Sequence, residues 1–135
     1  MHTFGSPAET LDAVGQTYGP GPWLQVPPEA VGAFAHATGD PLGGIGVPAY
    51  LVLSLLPWLS TDVVAYGSAT RVNYGLNRVR FPRPVPVGGR VRAVATIAAA
   101  RETPTGVQLS VRWTIEVEGG TEPACVCDAL VLLRP

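Results

Sequence analysis

"FAHATGDPLGGIGVPAYLVLSLLP", residues 34–57, holds the transition on which the reading of this chain turns. A helix ends at Thr38–Gly39, a single carboxylate, Asp40, follows at once, and a short glycine-rich loop runs into an uninterrupted apolar segment. Upstream, "PPEAVGAFAHAT" opens with proline near the first helical turn and Glu29 beside it, both favourable at a helix N-terminus. Val31, Phe34, Ala35 and Thr38 follow i, i+3, i+4, i+7 spacing, which predicts one buried face, and Gly39 takes the position where helices turn left-handed and stop. The segment Ala49–Leu59 is apolar on every side and is predicted to be a helix surrounded by protein. A sheet wrapped around it is the simplest arrangement.

Asp40 thus sits on a loop between two rigid elements, where chains often place chemistry. A carboxylate that moves protons usually works with a partner, yet no histidine, cysteine or second carboxylate lies between Asp40 and Asp62.

Beyond residue 68 the pattern is β. Strands are expected at 69–74, 76–81, 90–100, 107–118 and 123–133. The fourth is the plainest: Val107, Leu109, Val111, Trp113, Ile115 and Val117 alternate with Gln108, Ser110, Arg112, Thr114, Glu116 and Glu118, so one face is core and the other wet. Over 69–81 the apolar phase slips from even positions (Val72, Tyr74, Leu76) to odd ones (Val79, Phe81), which predicts a bulge or break near Gly75–Asn77. The last strand is apolar on both faces except for Asp128, as expected of a central strand or one at a subunit interface. Near the start, a short helix around Ala8–Val14 and a short strand at Trp23–Val26 flank the turn-rich "YGPGP". The chain therefore reads as one α+β domain over residues 1–135.

Composition narrows the function. The net charge is −1 and all nine basic residues are arginine, without the basic footprint of a nucleic-acid binder. Six arginines (Arg71, Arg78, Arg80, Arg83, Arg90, Arg92) fall within residues 71–92. Two readings stand for them, solvation of outward strand faces or contact with a phosphorylated ligand. Only 14% of residues are charged while 47% are apolar, which hints at surface covered in an oligomer. Cys125 and Cys127, two apart on a strand, share a face about 7 Å apart, poor geometry for a disulfide. They read as buried thiols suited to a reducing cytoplasm. The first fifteen residues hold no apolar run of the signal-peptide kind, and the apolar run at 49–59 falls short of the roughly twenty residues a membrane span needs. No metal-ligand cluster or cofactor motif is present, and "PLGGIGVPA" lacks the G-K-[ST] ending of a phosphate-binding loop. His36 is expected at the surface of its helix and His2 in a disordered terminal tail.

The segments "FAHATGD", "YLVLSLLP" and above all "VNYGLNRVRFPRPVPVGGRVRA" (72–93) closely resemble MaoC-like proteins, which include (R)-specific enoyl-CoA hydratases and the NodN-type branch. "VGQTYGPGPWLQV" (14–26) and "TIEVEGGTEPACVCDALVLL" (114–133) fit the same resemblance, which covers nearly the whole chain. It implies the hot-dog fold, an antiparallel sheet wrapped around a long apolar helix, and dimers whose sheets join edge to edge. It also implies a tunnel for an acyl-CoA or acyl-carrier-protein thioester, with no cofactor. The family's chemistry uses an aspartate ending an "ATGD" motif and a histidine five residues later, which together hold a water for addition across a conjugated thioester. A helix N-terminus after an "A-H-G" motif donates a backbone N–H to the thioester carbonyl.

Carried over, Asp40 matches the aspartate, but Ile45 stands where the histidine is expected. Val47–Pro48–Ala49 replaces "A-H-G", and the intervening loop is shorter by roughly a dozen residues or more than the resemblance implies. The resemblance further places the N–H groups of Ala49 and Tyr50 at the thioester carbonyl, Asn73 and Tyr74 near the tunnel, and Arg78, Arg80 and Arg83 at the phosphates of the carrier. For Asp40 the alternative is a turn residue that satisfies nearby backbone groups. Three functions stay open: a divergent acyl-thioester protein with hydratase or dehydratase ancestry turned to a tailoring step in polyketide or lipid metabolism, a non-catalytic subunit of a heterodimer with a complete hot-dog chain, or a small-ligand-binding module.

Overall fold

A computed structural model describes residues 1–40 and 46–135. The short elements come first: β1 (His2–Thr3), a 3₁₀ helix over Pro7–Ala13, β2 (Thr17–Tyr18), β3 (Leu24–Gln25) and α1 (Pro28–Thr38). After the central loop come α2 (Ala49–Ser54), α3 (Leu56–Ser60) and β4 (Val64–Ala65). Four long strands complete the chain: β5 (Thr70–Arg80), β6 (Arg90–Thr103), β7 (Gly106–Val117) and β8 (Cys125–Arg134). The main sheet runs β2–β6–β7–β8–β5, with β3 also on β6, and its long strands pair antiparallel. Only β1 and β4 pair in parallel.

Alternation along β7 sets the core. Val107, Leu109, Val111, Trp113, Ile115 and Val117 are all buried, and register matches them to buried Leu133, Val131 and Cys127 on β8 and to Ala95, Ala93 and Val91 on β6. Each such fully buried large side chain contributes about 1.5–3 kcal/mol. The opposite face carries ion pairs: Arg90 with Glu118 at 3.0 Å, Arg92 with Glu116 at 2.7 Å, and Arg112 with the buried Asp128 at 3.0 Å. Arg92 also lies over the Trp23 ring, 4.2 Å from its centroid. Outward solvation is thus the role of Arg90 and Arg92. β8 is an inner strand, which accounts for its two apolar faces. Cys125 and Cys127 are buried thiols with no disulfide, and the hydrogen bond they share, with burial, pushes the Cys127 thiol up.

Several expectations need correction. The apolar segment is not one long helix but two short ones, divided at Leu55 (φ −79°, ψ −9°). Pro57 has no N–H to give and is tolerated only in a first turn, so a new helix starts just before it. Ser54 adds to the break by donating its hydroxyl back to the Tyr50 carbonyl at 2.7 Å. The path still continues, because Leu55 N–H bonds the Leu51 carbonyl and Leu59 N–H bonds that of Leu55. Nor is the pair enclosed: Leu51, Val52 and Leu59 are buried, whereas Tyr50 is 69% and Trp58 41% exposed. One chain's sheet covers one side of the helices only.

The strands expected at 69–74 and 76–81 are one strand, β5, with two register shifts, at Asn73/Gly75 and Asn77/Arg80. In α1 only Val31 is buried, and Thr38 is exposed, because the helix touches the core near its start. Gly39 ends it as expected, at φ 72° with its N–H on the Ala35 carbonyl. His36 is exposed, as expected, whereas His2 is no loose tail: its N–H bonds the Val63 carbonyl at 3.0 Å and its ring stacks on Tyr18 at 4.5 Å.

Candidate functional site

The site is built from the two elements that β8 places side by side. β5 is an edge strand, paired to β8 on one side and to no strand on the other among the described residues. The α2–α3 pair packs on the inner face of the sheet, α2 against β8 and α3 against β6. Between the helices and β5 runs a groove of about 540 Å³, bounded by Leu53 and Leu56 on the helices, Leu76 on β5 and Ala129, Leu130 and Val131 on β8. A volume of this size suits a small organic ligand.

Polar groups enter the groove at one end. Arg71 and Asn73 pair in register with Leu133 and Val131, whose side chains face the core, so both point to the helix side of the sheet. Ser60 and Tyr66 lie across from them. Ser60 Oγ donates to the Pro57 carbonyl at 2.9 Å. Tyr66 is 8% exposed, and burial pushes its phenol up to about 12, against the opposing pull of the Arg71 charge. Tyr66 therefore stays a hydrogen-bond donor at neutral pH. Tyr50, whose ring centroid is 6.2 Å from that of Phe81, precedes Leu53 on α2 and lies outside the groove's lining.

Of the residues singled out in the sequence, Asn73 lines the groove. Tyr74, its neighbour on an alternating strand, does not, and is 47% exposed. Arg78, Arg80 and Arg83 also lie outside it, all exposed. Arg78 takes a left-handed backbone (φ 53°) in the second register shift, and Arg80 Nη1 donates to the Val79 carbonyl at 2.9 Å. None of the three forms an ion pair among the described residues.

Asp40 is exposed just past α1, and its N–H donates to Thr38 Oγ1 at 3.3 Å. Its carboxylate has no hydrogen bond or ion pair among the described residues. Ile45 and the rest of 41–45 lie outside the described residues, so the missing-histidine position has no structural account. The chain's two histidines, His2 and His36, both precede Asp40. Ala49 and Tyr50 open α2, whose first backbone bonds run from Leu51 and Val52 N–H to the Pro48 carbonyl. The N–H groups of Ala49 and Tyr50 therefore face away from the helix's own ladder.

Sequence reasoning missed Arg71 and Tyr66 as groove residues. The signal for Arg71 was available, since it shares strand parity with Asn73. Tyr66 reaches the groove only through the β4–β5 connection, which no periodicity reveals. Among the described residues no group of three or more His, Cys, Asp or Glu could hold a metal ion. No helix among them is long and apolar enough to cross a membrane.

Comparison with known proteins adds lineage to this geometry. No family model matches the chain. It is 39% identical over 147 aligned positions to 3-hydroxyacyl-thioester dehydratase Z of Mycobacterium tuberculosis, covering 97% of each chain. It is 27% identical over 152 positions to Nodulation protein N of Rhizobium leguminosarum bv. viciae, covering 99% of this chain and 94% of that one. The crystal structure of a MaoC-like dehydratase from Rhodospirillum rubrum superimposes with a TM-score of 0.67 at 17% identity, over 91% of this chain and 94% of the other, a likeness of fold. The 147 positions aligned to the mycobacterial dehydratase exceed this chain's 135 residues, so at least 12 of them have no counterpart here (147 − 135). With this fold and these relatives, the chain belongs to the MaoC-like hydratase and dehydratase family of hot-dog proteins.

Proposed function

We propose that the protein binds acyl thioesters, taking the acyl chain in the groove between α2–α3 and β5–β8, with its hydratase-type site reduced to the single carboxylate of Asp40. The observation that carries this reading is the groove: about 540 Å³ with leucine and valine walls and a few polar groups at one end. The thioester carbonyl sits at the opening of α2, where the N–H groups of Ala49 and Tyr50 are aimed outward. The exposed Arg78, Arg80 and Arg83 are suited to the phosphates of CoA or of a carrier-protein arm. Tyr74 borders the entrance from the solvent side of β5.

Asp40 can hold and polarise a water, but the histidine that shares proton transfer with it in the family's pair has no counterpart after it in the sequence. General acid–base assistance contributes about 10²–10⁴-fold, so hydration by the lone chain is slower than in a complete site by a factor of that order. The positions missing from the alignment match in size the shortened loop after Asp40. A tailoring step in polyketide or lipid metabolism, in the reducing cytoplasm that suits the paired thiols, is the setting proposed with this reading.

A second reading is favoured by the exposed apolar strip. Tyr50, Trp58 and Leu76 are 69%, 41% and 45% exposed on α2, α3 and the groove side of β5, beside the open edge of an 11-residue strand. Such strips mark surfaces that a partner covers. A second copy, or a complete hot-dog chain that brings its own histidine, pairs along this edge and closes the groove.

The test is the purified chain with short and medium trans-2-enoyl-CoA, following loss of the conjugated thioester absorbance, with Asp40→Asn as control. The expected result is binding with slow hydration that the substitution abolishes. Turnover equal to that of a complete hydratase overturns the reduced site, and failure to bind either thioester overturns the acyl-thioester reading.

A further inference from the structure

The groove holds one charge among its described lining residues, the guanidinium of Arg71. No carboxylate pairs with it: the three ion pairs among the described residues use Arg90, Arg92 and Arg112. Ser54 and Ser60 spend their hydroxyl protons on the carbonyls of Tyr50 and Pro57, which leaves Arg71, the Asn73 amide and the Tyr66 phenol to face the groove. Arg71 and Asn73 are exposed and the guanidinium is the one charge there, so a negatively charged, acceptor-rich group is its match, whereas an apolar terminus laid against it displaces water and returns no hydrogen bond.

The placement of that end matters. Phe81 and Tyr50 mark the side where α2 begins, whereas Arg71 lies at the opposite end of β5, beside Ser60 and Tyr66. Ala49 and Ser60 are eleven residues apart on a nearly continuous helical path, about 16 Å at the helical rise. A second, shallower cavity of about 320 Å³ adjoins this end and shares Ser60, Tyr66 and Arg71 with the groove. A polar chain end therefore has room to turn toward the guanidinium rather than stop against a wall.

We infer that the groove selects acyl chains whose distal end carries a carboxylate, held by Arg71 with Asn73 and Tyr66, over plain alkyl chains of the same length. This rests on the acyl-thioester reading above, with the thioester at the start of α2. Arg71 is a specificity-determining residue in this arrangement and takes no part in bond making.

The experiment is equilibrium binding by titration calorimetry on the full chain. The probes are octanoyl-, decanoyl- and dodecanoyl-CoA, each against its ω-carboxy counterpart. Wild type is expected to bind the best ω-carboxyacyl probe about two- to fivefold tighter than its alkyl match, the range that pairing with the exposed Arg71 guanidinium supplies. Arg71→Gln is expected to erase that preference while binding alkyl probes at least as well, and Arg71→Lys to keep part of it. Equal or weaker binding of every ω-carboxyacyl probe by wild type, or a preference that survives Arg71→Gln, overturns the inference and leaves the acyl-thioester reading standing. Failure of all six probes to bind overturns both.

Discussion

Chain-length dependence of acyl-CoA binding follows directly from the shape of the groove. A methylene that passes fully from water into apolar contact gives about 0.8 kcal/mol, a factor of about four in Kd. Here the groove is walled by α2–α3 and the sheet but open along β5, so about half of each methylene is covered in the lone chain. The gain falls to about 0.4 kcal/mol, roughly twofold per methylene and fourfold per two-carbon step. The rise should hold from butyryl-CoA upward and level off where the chain end meets Ser60, Tyr66 and Arg71, since that end offers donors instead of apolar wall. Calorimetric titration of even-numbered acyl-CoAs from butyryl to tetradecanoyl measures this. A partner that closes the groove along β5 raises the step to about fifteenfold per two carbons, the value for full burial. An affinity that does not change with chain length refutes the reasoning, because it places the acyl chain outside the groove.

Two further outcomes are expected. Tyr66 has a folded-state pKa of about 12, raised from 10 mainly by burial, so the unfolded chain releases this proton first. Stability is therefore full below pH 10 and falls by about 1.4 kcal/mol per pH unit between about 10 and 12. Urea unfolding of wild type and Tyr66→Phe across that window should show the loss shrink in the variant, and parallel profiles would contradict it. Gly46→Ala and Gly15→Ala form a matched pair at φ 90° and 89°: the added Cβ runs into the Val85 carbonyl oxygen in the first and meets nothing within 4 Å in the second. Both pay about 1–2 kcal/mol for the left-handed backbone, and Gly46→Ala should cost more because it also breaks the Val47–Val85 bridge that seats the start of α2. Equal losses in thermal unfolding would contradict the clash.

Much of the fold was legible because its signals are local. The alternation of β7 predicted a buried face residue by residue, and Gly39 predicted the end of α1 by its left-handed backbone. The phase slip in β5 was legible as an irregularity but not as two separate shifts, since each depends on how β8 lies against it. The division of the apolar helix was foreshadowed by Pro57, yet the run of leucines around it outweighed that sign. Exposure of Tyr50 and Trp58 was not legible, because an all-apolar pattern says that a helix is covered without saying by which chain. In the site, strand parity separates Arg71 and Asn73 from Tyr74, whereas the family resemblance drew attention to Arg78, Arg80 and Arg83 on the segment it matches best. Position 45, where the resemblance places a histidine and the chain has isoleucine, is a fact of sequence alone.

The measurement that bears most directly on the central claim is binding of decanoyl-CoA to wild type and to Ala129→Phe. Ala129 lies on the groove floor, opposite Leu76 on β5 and Val111 on β7, and a phenyl ring there fills the space the acyl chain needs. Leu76→Trp at the lip of the groove serves as a second obstruction on a half-exposed position. The account predicts that wild type binds and that both variants, with thermal unfolding close to wild type, bind more weakly by about tenfold or more, the loss from excluding about four methylenes at roughly twofold each. Undiminished binding by the folded variants would show that the acyl chain does not lie between α2–α3 and β5–β8.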